Sequence, residues 1–314
     1  MAASGSPATP DAHAVWAASY RVDLGTVLGS WVRGSSDPTA RLTPGGVAWR
    51  TSLTPDGPAT ARLSAEGGTV TVDAWGPGAG WLVASAPDLL GAGDDPDGFP
   101  AHLLPDHLVP AWRRLAARWR VPRSRRVVEA LVMAVLEQKV TGVQSMGAWR
   151  SLLAACGEPA PGPAPDRMRV PPSPEAIRRV PSWQWHRWGV GPQQSAALMR
   201  AMAVAGRLEQ CADLPLADAR RRLGAVVGVG PWTVAEVAQR ALGDADAVSF
   251  GDYHLAKQVV YAFTGRRDGS DEQLAELLAP FAAHRYRVQR LVEVSGISRP
   301  ARGPRMSIAD HRRI

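Results

Sequence analysis

The chain has 314 residues, of which 45% are hydrophobic, and this is enough apolar material for two domains with full cores. Cys156 and Cys211 are the only cysteines, which excludes a disulfide framework as the main stabiliser and argues against a structural zinc site. The net charge of +7 favours a partner that carries negative charge.

The sequence shows no feature of a membrane or secreted protein. No apolar run approaches the roughly 18 residues that a membrane span needs. The start, MAASGSPATPDAHA, lacks a positively charged region followed by an apolar segment. Frequent Ala, Gly, Pro and Arg indicate a GC-rich genome. We therefore expect a cytoplasmic bacterial protein without a membrane partner.

Charge is divided unevenly along the chain. Residues 1–100 hold 5 Lys and Arg against 10 Asp and Glu, whereas the remaining residues hold 31 against 19. Phosphate groups are attracted to basic surfaces without regard to base sequence. A surface that binds nucleic acid is therefore expected in the second part of the chain.

The first hundred residues predict a small α+β domain. Residues 1–13 are small, polar and Pro-containing, which is typical of disorder. Short segments such as GVAWRTSLT and the alternating TVTVDAW follow, separated by the turn clusters TPGG, TPDG and EGG. They predict an antiparallel sheet with one or two helices over 14–97. The segment GAGDDPDGFP, at 91–100, is typical of a domain boundary.

The remainder predicts helices over 98–296. One apolar helix face is formed by Leu108, Trp112, Leu115, Ala116 and Trp119. The Pro-rich stretch 157–176 predicts an exposed loop or stiff spacer, and 297–314 predicts a basic, mobile tail.

The segment with the most chemical information begins at residue 216. An apolar helix face is predicted there from the spacing of Leu216, Leu223, Val226 and Val227. Gly228-Val229-Gly230 should break this helix in a tight hairpin, with Val229 tucked between two helices. Pro231 suits the first turn of a second helix. Free N–H groups at such a helix start attract anions, and a nucleic-acid phosphate is the natural candidate.

Asp252 lies 22 residues after Gly230, just before a helical pattern that begins at Leu255. A carboxylate in this position can do chemistry on a bound ligand. It can also act only as an N-cap that accepts hydrogen bonds from helix amides. The position alone leaves both roles open.

The hairpin, the Trp232-Thr233 pair that follows it, the spacing to Asp252 and the segment FGDYHLAKQ together resemble the helix-hairpin-helix DNA glycosylase superfamily. The similarity is strongest to the 3-methyladenine DNA glycosylase II branch, and it extends to the order of motifs in the N-terminal part. The resemblance implies an α+β protein in which a small antiparallel-sheet domain precedes a mainly α-helical glycosylase domain.

The resemblance also implies roles for individual residues. Asp252 would be catalytic, and Gly228, Val229, Gly230 and Thr233 would hold the DNA backbone. Trp232 and Tyr253 would line the base pocket, together with Glu236, which stands where relatives carry an aromatic ring. Gln138 and Lys139 occupy the turn that relatives push into the duplex, although relatives often have leucine in place of Lys139.

The expected activity is that of a monofunctional DNA glycosylase in base excision repair. Relatives that also cut the strand carry a lysine where this chain has Trp232, because an amine is needed for a Schiff base with the sugar. The resemblance implies double-stranded DNA with alkylated purines as substrate, a nucleoid-associated monomer, and no metal or organic cofactor except a monovalent cation at the hairpin carbonyls. Two cysteines are too few for the iron-sulfur cluster of some relatives.

Two alternatives remain open from the sequence. The same scaffold could excise an oxidised or deaminated base, because Glu236 offers a polar contact that a neutral lesion needs. A non-catalytic protein that binds damaged DNA would share the hairpin but would not need Asp252.

Overall fold

The computed structural model describes residues 9–300, and its first part is an antiparallel sheet with two helices. The five strands lie in the order β1-β5-β4-β3-β2. The elements are β1 (Ala12–Ala17), α1 (Leu24–Leu28), β2 (Ala40–Leu42), β3 (Ala48–Thr54), β4 (Gly57–Glu66), β5 (Thr69–Trp75) and α2 (Ala79–Leu89). This confirms the predicted sheet. It corrects the predicted disorder of 1–13 at its end, since residues 12 and 13 pair with β5; residues 1–8 lie outside the described part.

Two-residue turns fix the register of the sheet. Thr54 pairs with Gly57 and Glu66 pairs with Thr69, so that each hairpin closes over two residues. Gly67, in the second turn, has a φ of +60°, which glycine adopts without steric cost. The turn clusters in the sequence therefore correctly marked the strand ends.

The second part is helical, as predicted. Its elements are α3 (Val109–Ala116), α4 (Val127–Leu136), α5 (Gly142–Cys156), β6 (Glu158–Pro159), β7 (Arg169–Val170), α6 (Pro174–Arg178), α7 (Ser182–Arg187), α8 (Pro192–Ala203), α9 (Ala205–Glu209), α10 (Leu216–Gly224), α11 (Pro231–Val237), α12 (Leu255–Thr264), α13 (Asp271–Leu278) and α14 (Arg285–Val294). Every residue of α4 is buried, which is expected of a helix that is apolar on all sides and surrounded by others. Helices α8 and α11 pack against it.

A buried ion pair joins the sheet to α4. Arg50 Nη2 donates to Glu129 Oε1 over 2.8 Å, and Ser52 Oγ donates to Glu129 Oε2 over 2.8 Å. The Arg50 guanidinium also lies 4.0 Å from the ring centroid of Trp31. Both Glu129 oxygens are therefore satisfied in a region without solvent, and one continuous hydrophobic core extends through the sheet and the helices.

The segment 91–100 packs closely against the helical part. Arg287 Nη2 donates to Asp94 Oδ1 over 2.6 Å, and both side chains are almost fully buried. Phe99 stacks on Trp112 with ring centroids 3.7 Å apart. The segment is irregular but well anchored. The division into 14–97 and 98–296 stays a prediction.

Two other segments also differ from expectation. The Pro-rich stretch 157–176 is not simply an exposed spacer: it contains the short β6–β7 ladder, and Val170 is buried beside the sheet. The tail predicted for 297–314 begins in contact with the helical part, since the Ile297 carbonyl accepts a hydrogen bond from Gln258. Residues 301–314 lie outside the described part.

Replacing Glu129 with alanine should lower the free energy of unfolding by about 3–5 kcal/mol, because Arg50 would stay buried without its counter-charge. Urea unfolding followed by circular dichroism measures this change. Glu158→Ala, at an exposed position, is the control and should change the value by less than about 0.5 kcal/mol. Equal effects of the two substitutions would contradict the assigned importance of the buried pair.

Candidate DNA interface and active site

The hairpin has the geometry that the glycine pattern predicts. It connects α10 to α11, and Pro231 is the first residue of α11. Gly228 has a φ of +97°, and a Cβ there would lie 2.7 Å from the Cβ of Ala197, so glycine is required. A Cβ on Gly230 would meet nothing within 4 Å. Gly230 therefore leaves open space through which a ligand can approach the backbone, while Val229 is buried as predicted.

The predicted apolar face before the hairpin is only partly correct. Helix α10 ends at Gly224, so Val226 and Val227 lie in the turn and not on the helix. Leu223 is fully buried, but Val227 is 68% exposed and Leu216 is 40% exposed. Val227 is consequently an apolar side chain presented to solvent at the hairpin.

Several N–H groups of the hairpin have no partner. The first bond of α11 runs from the Val234 N–H to the Gly230 carbonyl. Within residues 9–300, the N–H groups of Gly230, Trp232 and Thr233 donate to no acceptor. Unpaired amides at a helix start form a site for an anionic oxygen.

The turn after α4 supports the hairpin. Gln138 Nε2 donates to the Gly228 carbonyl over 3.0 Å and to Thr233 Oγ1 over 2.8 Å. Gln194 Nε2 in turn donates to the Gln138 carbonyl over 3.1 Å. The structure thus brings together three of the predicted DNA-binding residues, and the amide donor of Gln138 is engaged with the protein itself.

Lys139 lies at the tip of the same turn. It is exposed, and its φ of +54° is unusual for a residue with a side chain. Arg200 adds a second exposed cation, since its Nη1 donates to the Val227 carbonyl over 3.3 Å. Positive charge therefore lies on two sides of the hairpin.

Asp252 caps helix α12 with one carboxylate oxygen. Its Oδ1 accepts hydrogen bonds from the N–H groups of His254 and Leu255, each over 2.8 Å. Its Oδ2 has no partner among the residues that the structure describes, and the side chain is partly exposed. The cap fixes the orientation of the carboxylate, and the second oxygen stays available to a ligand.

The two aromatic residues predicted for the base pocket are placed differently. Trp232 is half-buried and packs against the core. Tyr253 is 73% exposed, and Lys257 Nζ lies 4.0 Å from its ring centroid. No ring contact joins Trp232 and Tyr253 in the described part of the chain. Their roles as pocket residues stay predictions.

Glu236 is buried and its carboxylate is already bound. Arg240 Nη1 donates to Oε2 over 2.5 Å, and Ser249 Oγ donates to Oε1 over 2.5 Å. Burial alone raises the pKa of Glu236, but Arg240 and Ser249 together outweigh it and hold the pKa below its usual value. The sequence predicted a polar contact to a base at this position; instead, both oxygens are used inside the protein.

A cavity of about 520 Å³ lies beside the hairpin. Val229, Val234 and Phe250 provide its apolar walls, and Arg220 and Arg285 are also part of its lining. None of the predicted pocket residues lines it. This cavity is therefore distinct from the base pocket that the sequence predicts.

Three polar residues near Asp252 were not singled out from the sequence. Ser249, Gln239 and Gln289 are buried and hydrogen-bonded to one another. Gln239 and Gln289 lie in helical segments, but each is followed directly by an arginine, so no local pattern in the sequence marked them as part of a buried network.

No group of three or more His, Cys, Asp or Glu residues is arranged to hold a metal ion within residues 9–300. In that same range, no helix has the length and apolar character needed to cross a membrane.

The fold is similar to those of several solved structures. A 3-methyladenine DNA glycosylase from Archaeoglobus fulgidus gives a TM-score of 0.73 at 15% identity, covering 90% of this chain and 98% of that chain. MBOgg1 in complex with a low-affinity DNA ligand gives 0.69 at 16% identity, covering 90% and 95%. The apo form of the 8-oxoguanine glycosylase/lyase of Clostridium acetobutylicum gives 0.67 at 11% identity, again covering 90% and 95%.

No protein-family model matches the chain, and no curated protein matches it either. The structural similarity confirms the predicted α+β fold, in which an antiparallel sheet precedes a mainly helical part.

Replacing Glu236 with glutamine should make stability less dependent on acid. The pKa of folded Glu236 lies below its unfolded value of about 4.3, so the ionised side chain stabilises the protein above that pH. This contribution is lost as pH falls through the folded pKa. In urea unfolding between pH 7 and pH 3, the variant should be less stable at pH 7 and lose less stability on acidification.

The control for this measurement is Glu158→Gln at an exposed position. Its stability should follow that of the wild type at every pH. If the Glu236→Gln curve also ran parallel to that of the wild type, the ionised state assigned to Glu236 would be wrong.

Proposed function

We propose that this chain, which has the fold of the helix-hairpin-helix DNA glycosylases, is a monofunctional DNA glycosylase that removes an alkylated purine of the 3-methyladenine type from double-stranded DNA. The observation that carries the proposal is the Asp252 carboxylate, which is oriented by its Oδ1 cap and offers a free Oδ2. It occurs in the same chain as a hairpin with unpaired amides and an open glycine.

The hairpin would hold the DNA backbone beside the lesion. The N–H groups of Gly230, Trp232 and Thr233 suit a phosphate oxygen, and Gly230 allows a close approach. Gln138 would act indirectly by fixing the hairpin through Gly228 and Thr233. Lys139 and Arg200 would supply the salt-dependent part of the affinity.

The chemistry requires the target nucleotide to leave the duplex, because its glycosidic bond is out of reach in the base stack. As the bond from C1′ to the base nitrogen breaks, the electron pair leaves with the base, and the sugar becomes positively charged. The Asp252 carboxylate stabilises this charge, and a water molecule then forms a new C1′–O bond and releases its proton. The products are a free base and an abasic site.

An alkylated purine suits this site because it needs little help to leave. Methylation at a ring nitrogen gives the base a positive charge, so that it departs as a neutral molecule without a general acid. Tyr253 is accessible for stacking on such a cationic base, which is worth about 0.5–2 kcal/mol. Lys257 already covers one face of the ring, so a base would use the opposite face.

Strand cleavage by a Schiff-base route is not part of the proposal. The position two residues after the hairpin carries Trp232, which has no amine to form an imine with the sugar. The abasic site would therefore be left intact.

A neutral lesion is the second candidate. Glu236 does not itself offer the polar contact that such a lesion needs, because Arg240 and Ser249 already bind both of its oxygens. Two of the structurally similar proteins are MBOgg1 and an 8-oxoguanine glycosylase/lyase, so 8-oxoguanine is included among the test substrates.

The resemblance also implies a monovalent cation at the hairpin. The carbonyls of Val227 and Gly228 already accept hydrogen bonds from Arg200 and Gln138. Each of these oxygens keeps a second lone pair, so a cation held there would share the two carbonyls with Arg200 and Gln138.

Replacing Asp252 with asparagine should abolish base release while DNA binding survives. Asparagine can still cap α12, but it removes the negative charge that stabilises the sugar cation, and the rate should fall about 100-fold or more. Release of free bases from methylated duplex DNA, resolved by chromatography, measures the effect.

The matched control is Asp271→Asn. Asp271, the first residue of α13, accepts a hydrogen bond through Oδ2 from the N–H of Gly251 over 2.8 Å, so it is a second carboxylate bound to the same turn without a catalytic assignment. Its variant should keep most of the activity. Unchanged release by Asp252→Asn would remove the catalytic assignment, and a wild type inactive on methylated, 8-oxoguanine and deaminated duplexes would remove the proposed function.

Gln138 and Lys139 are neighbours that should affect DNA binding in different ways. Lys139→Ala should reduce the slope of log K against log salt concentration by about 1, because one phosphate contact is lost. Gln138→Ala should weaken binding without changing that slope, because it loosens the hairpin and removes no charge. Fluorescence anisotropy titrations between 50 and 200 mM salt, a range in which such slopes are well resolved, distinguish the two. Identical slopes for the two variants would contradict the roles assigned to them.

A further inference from the structure

A buried polar network lies directly behind the turn that carries Asp252. It consists of Ser249, Glu236, Arg240, Gln239 and Gln289, and we call it the Ser249 network. Four of these five residues are buried and Arg240 is nearly so.

Ser249 is the branching point of the network. Its hydroxyl donates to Glu236 Oε1 over 2.5 Å and accepts from Gln239 Nε2 over 2.9 Å. Its N–H donates to Gln289 Oε1 over 3.2 Å. The side chains of Glu236, Gln239 and Gln289 therefore all bond to Ser249 and fix its position.

Because Ser249 is fixed, it also restricts the position of Asp252. The N–H of Asp252 donates to the Ser249 carbonyl over 3.2 Å, which closes the turn from 249 to 252. Asp252 then caps α12 through Oδ1. The turn thus fixes the backbone of Asp252, and the bonds from the start of α12 to Oδ1 fix its carboxylate. The free oxygen Oδ2 therefore has a defined position.

The other end of the network reaches the N-terminal domain. Arg240 Nη1 donates to Glu236 Oε2 over 2.5 Å, and Arg240 Nε donates to the Ser30 carbonyl over 3.2 Å. Arg33 Nη1 donates to the same carbonyl over 2.7 Å. A continuous series of hydrogen bonds therefore runs from the loop after α1 to Asp252.

The contribution of such a network to the free energy of unfolding does not by itself explain why the network is present. Burying a carboxylate and a guanidinium costs desolvation energy that their attraction only roughly repays, and apolar side chains of similar size are often as stabilising. What a satisfied polar network does provide is a single defined geometry. That property matters most beside a group whose position decides a reaction rate.

We propose that Ser249 and Glu236 are positioning residues, which hold the Asp252 turn in its reactive geometry and link it through Arg240 to the N-terminal domain. The effect on rate rests on the proposed glycosylase function, but the effect on the turn does not.

The chain contains a matched control for this proposal. Ser52, Glu129 and Arg50 repeat the same chemistry, a buried serine hydroxyl and a buried arginine bound to the two oxygens of one glutamate. That cluster joins the sheet to α4 and has no bond to the Asp252 turn. Ser249→Ala and Ser52→Ala each remove one buried serine-to-glutamate hydrogen bond. Ser249→Ala also removes the bonds that its hydroxyl accepts from Gln239 and Gln289, but these two amides keep the Ala247 carbonyl and Glu293 as partners, so a purely structural role still predicts similar losses of stability.

The experiment compares the wild type with both variants in two measurements. In hydrogen exchange, the amides of residues 252–255 should exchange at least about fivefold faster in Ser249→Ala and at the wild-type rate in Ser52→Ala. In single-turnover base release from methylated duplex DNA, Ser249→Ala should be about 10- to 100-fold slower with affinity for DNA nearly unchanged, whereas Ser52→Ala should keep the wild-type rate.

Equal exchange at 252–255 in the two variants would overturn the proposal, as would equal rates of base release. If the wild type releases no base, the proposed function fails, and the exchange measurement alone decides the positioning role. Should Ser249→Ala not fold, Glu236→Gln and Glu129→Gln form a second matched pair, with the same difference in exchange expected.

Discussion

The structure depends on the complete burial of helix α4. All ten of its residues are buried, so the sheet and the other helices must pack around it. Its Glu129 is bound by Arg50 and Ser52 of the sheet. The turn that follows it carries Gln138, which bonds the hairpin at Gly228 and Thr233. One helix therefore determines where both the N-terminal domain and the candidate DNA-binding hairpin lie.

In two places a buried glutamate is bound by a serine and an arginine, and the two clusters connect different parts of the structure. The Glu129 cluster fixes the sheet against helix α4. The Glu236 cluster has the same donors, a serine and an arginine, but it lies behind the turn of Asp252. Compared with apolar side chains of similar size, an ion pair at such a place adds little to the free energy of folding, and we propose that its benefit is a single defined geometry. Because Arg240 and Ser249 bind both oxygens of Glu236, its buried carboxylate is not left unpaired.

The structural role of Asp252 and the chemical role that we propose for it need not compete. The two were alternatives from the sequence, because a helix start explains an aspartate without any catalysis. In the structure the cap uses only Oδ1 and thereby fixes where Oδ2 points. A capping bond is thus a means of orienting a carboxylate that acts on a ligand.

The sequence by itself determined the antiparallel sheet, the hairpin glycines, the start of α11 at Pro231 and the helix after Asp252, because each follows from local turn chemistry or a short repeating pattern. Tertiary structure decided the rest. Gln138 and Gly228 are 90 residues apart, and Ser30 and Arg240 are 210 apart, and no periodicity records such contacts. The exposure of Val227 and the full engagement of Glu236 depend on where distant segments pack. Local signals fix backbone conformation, whereas the partner of a buried polar group is known only once the chain has folded.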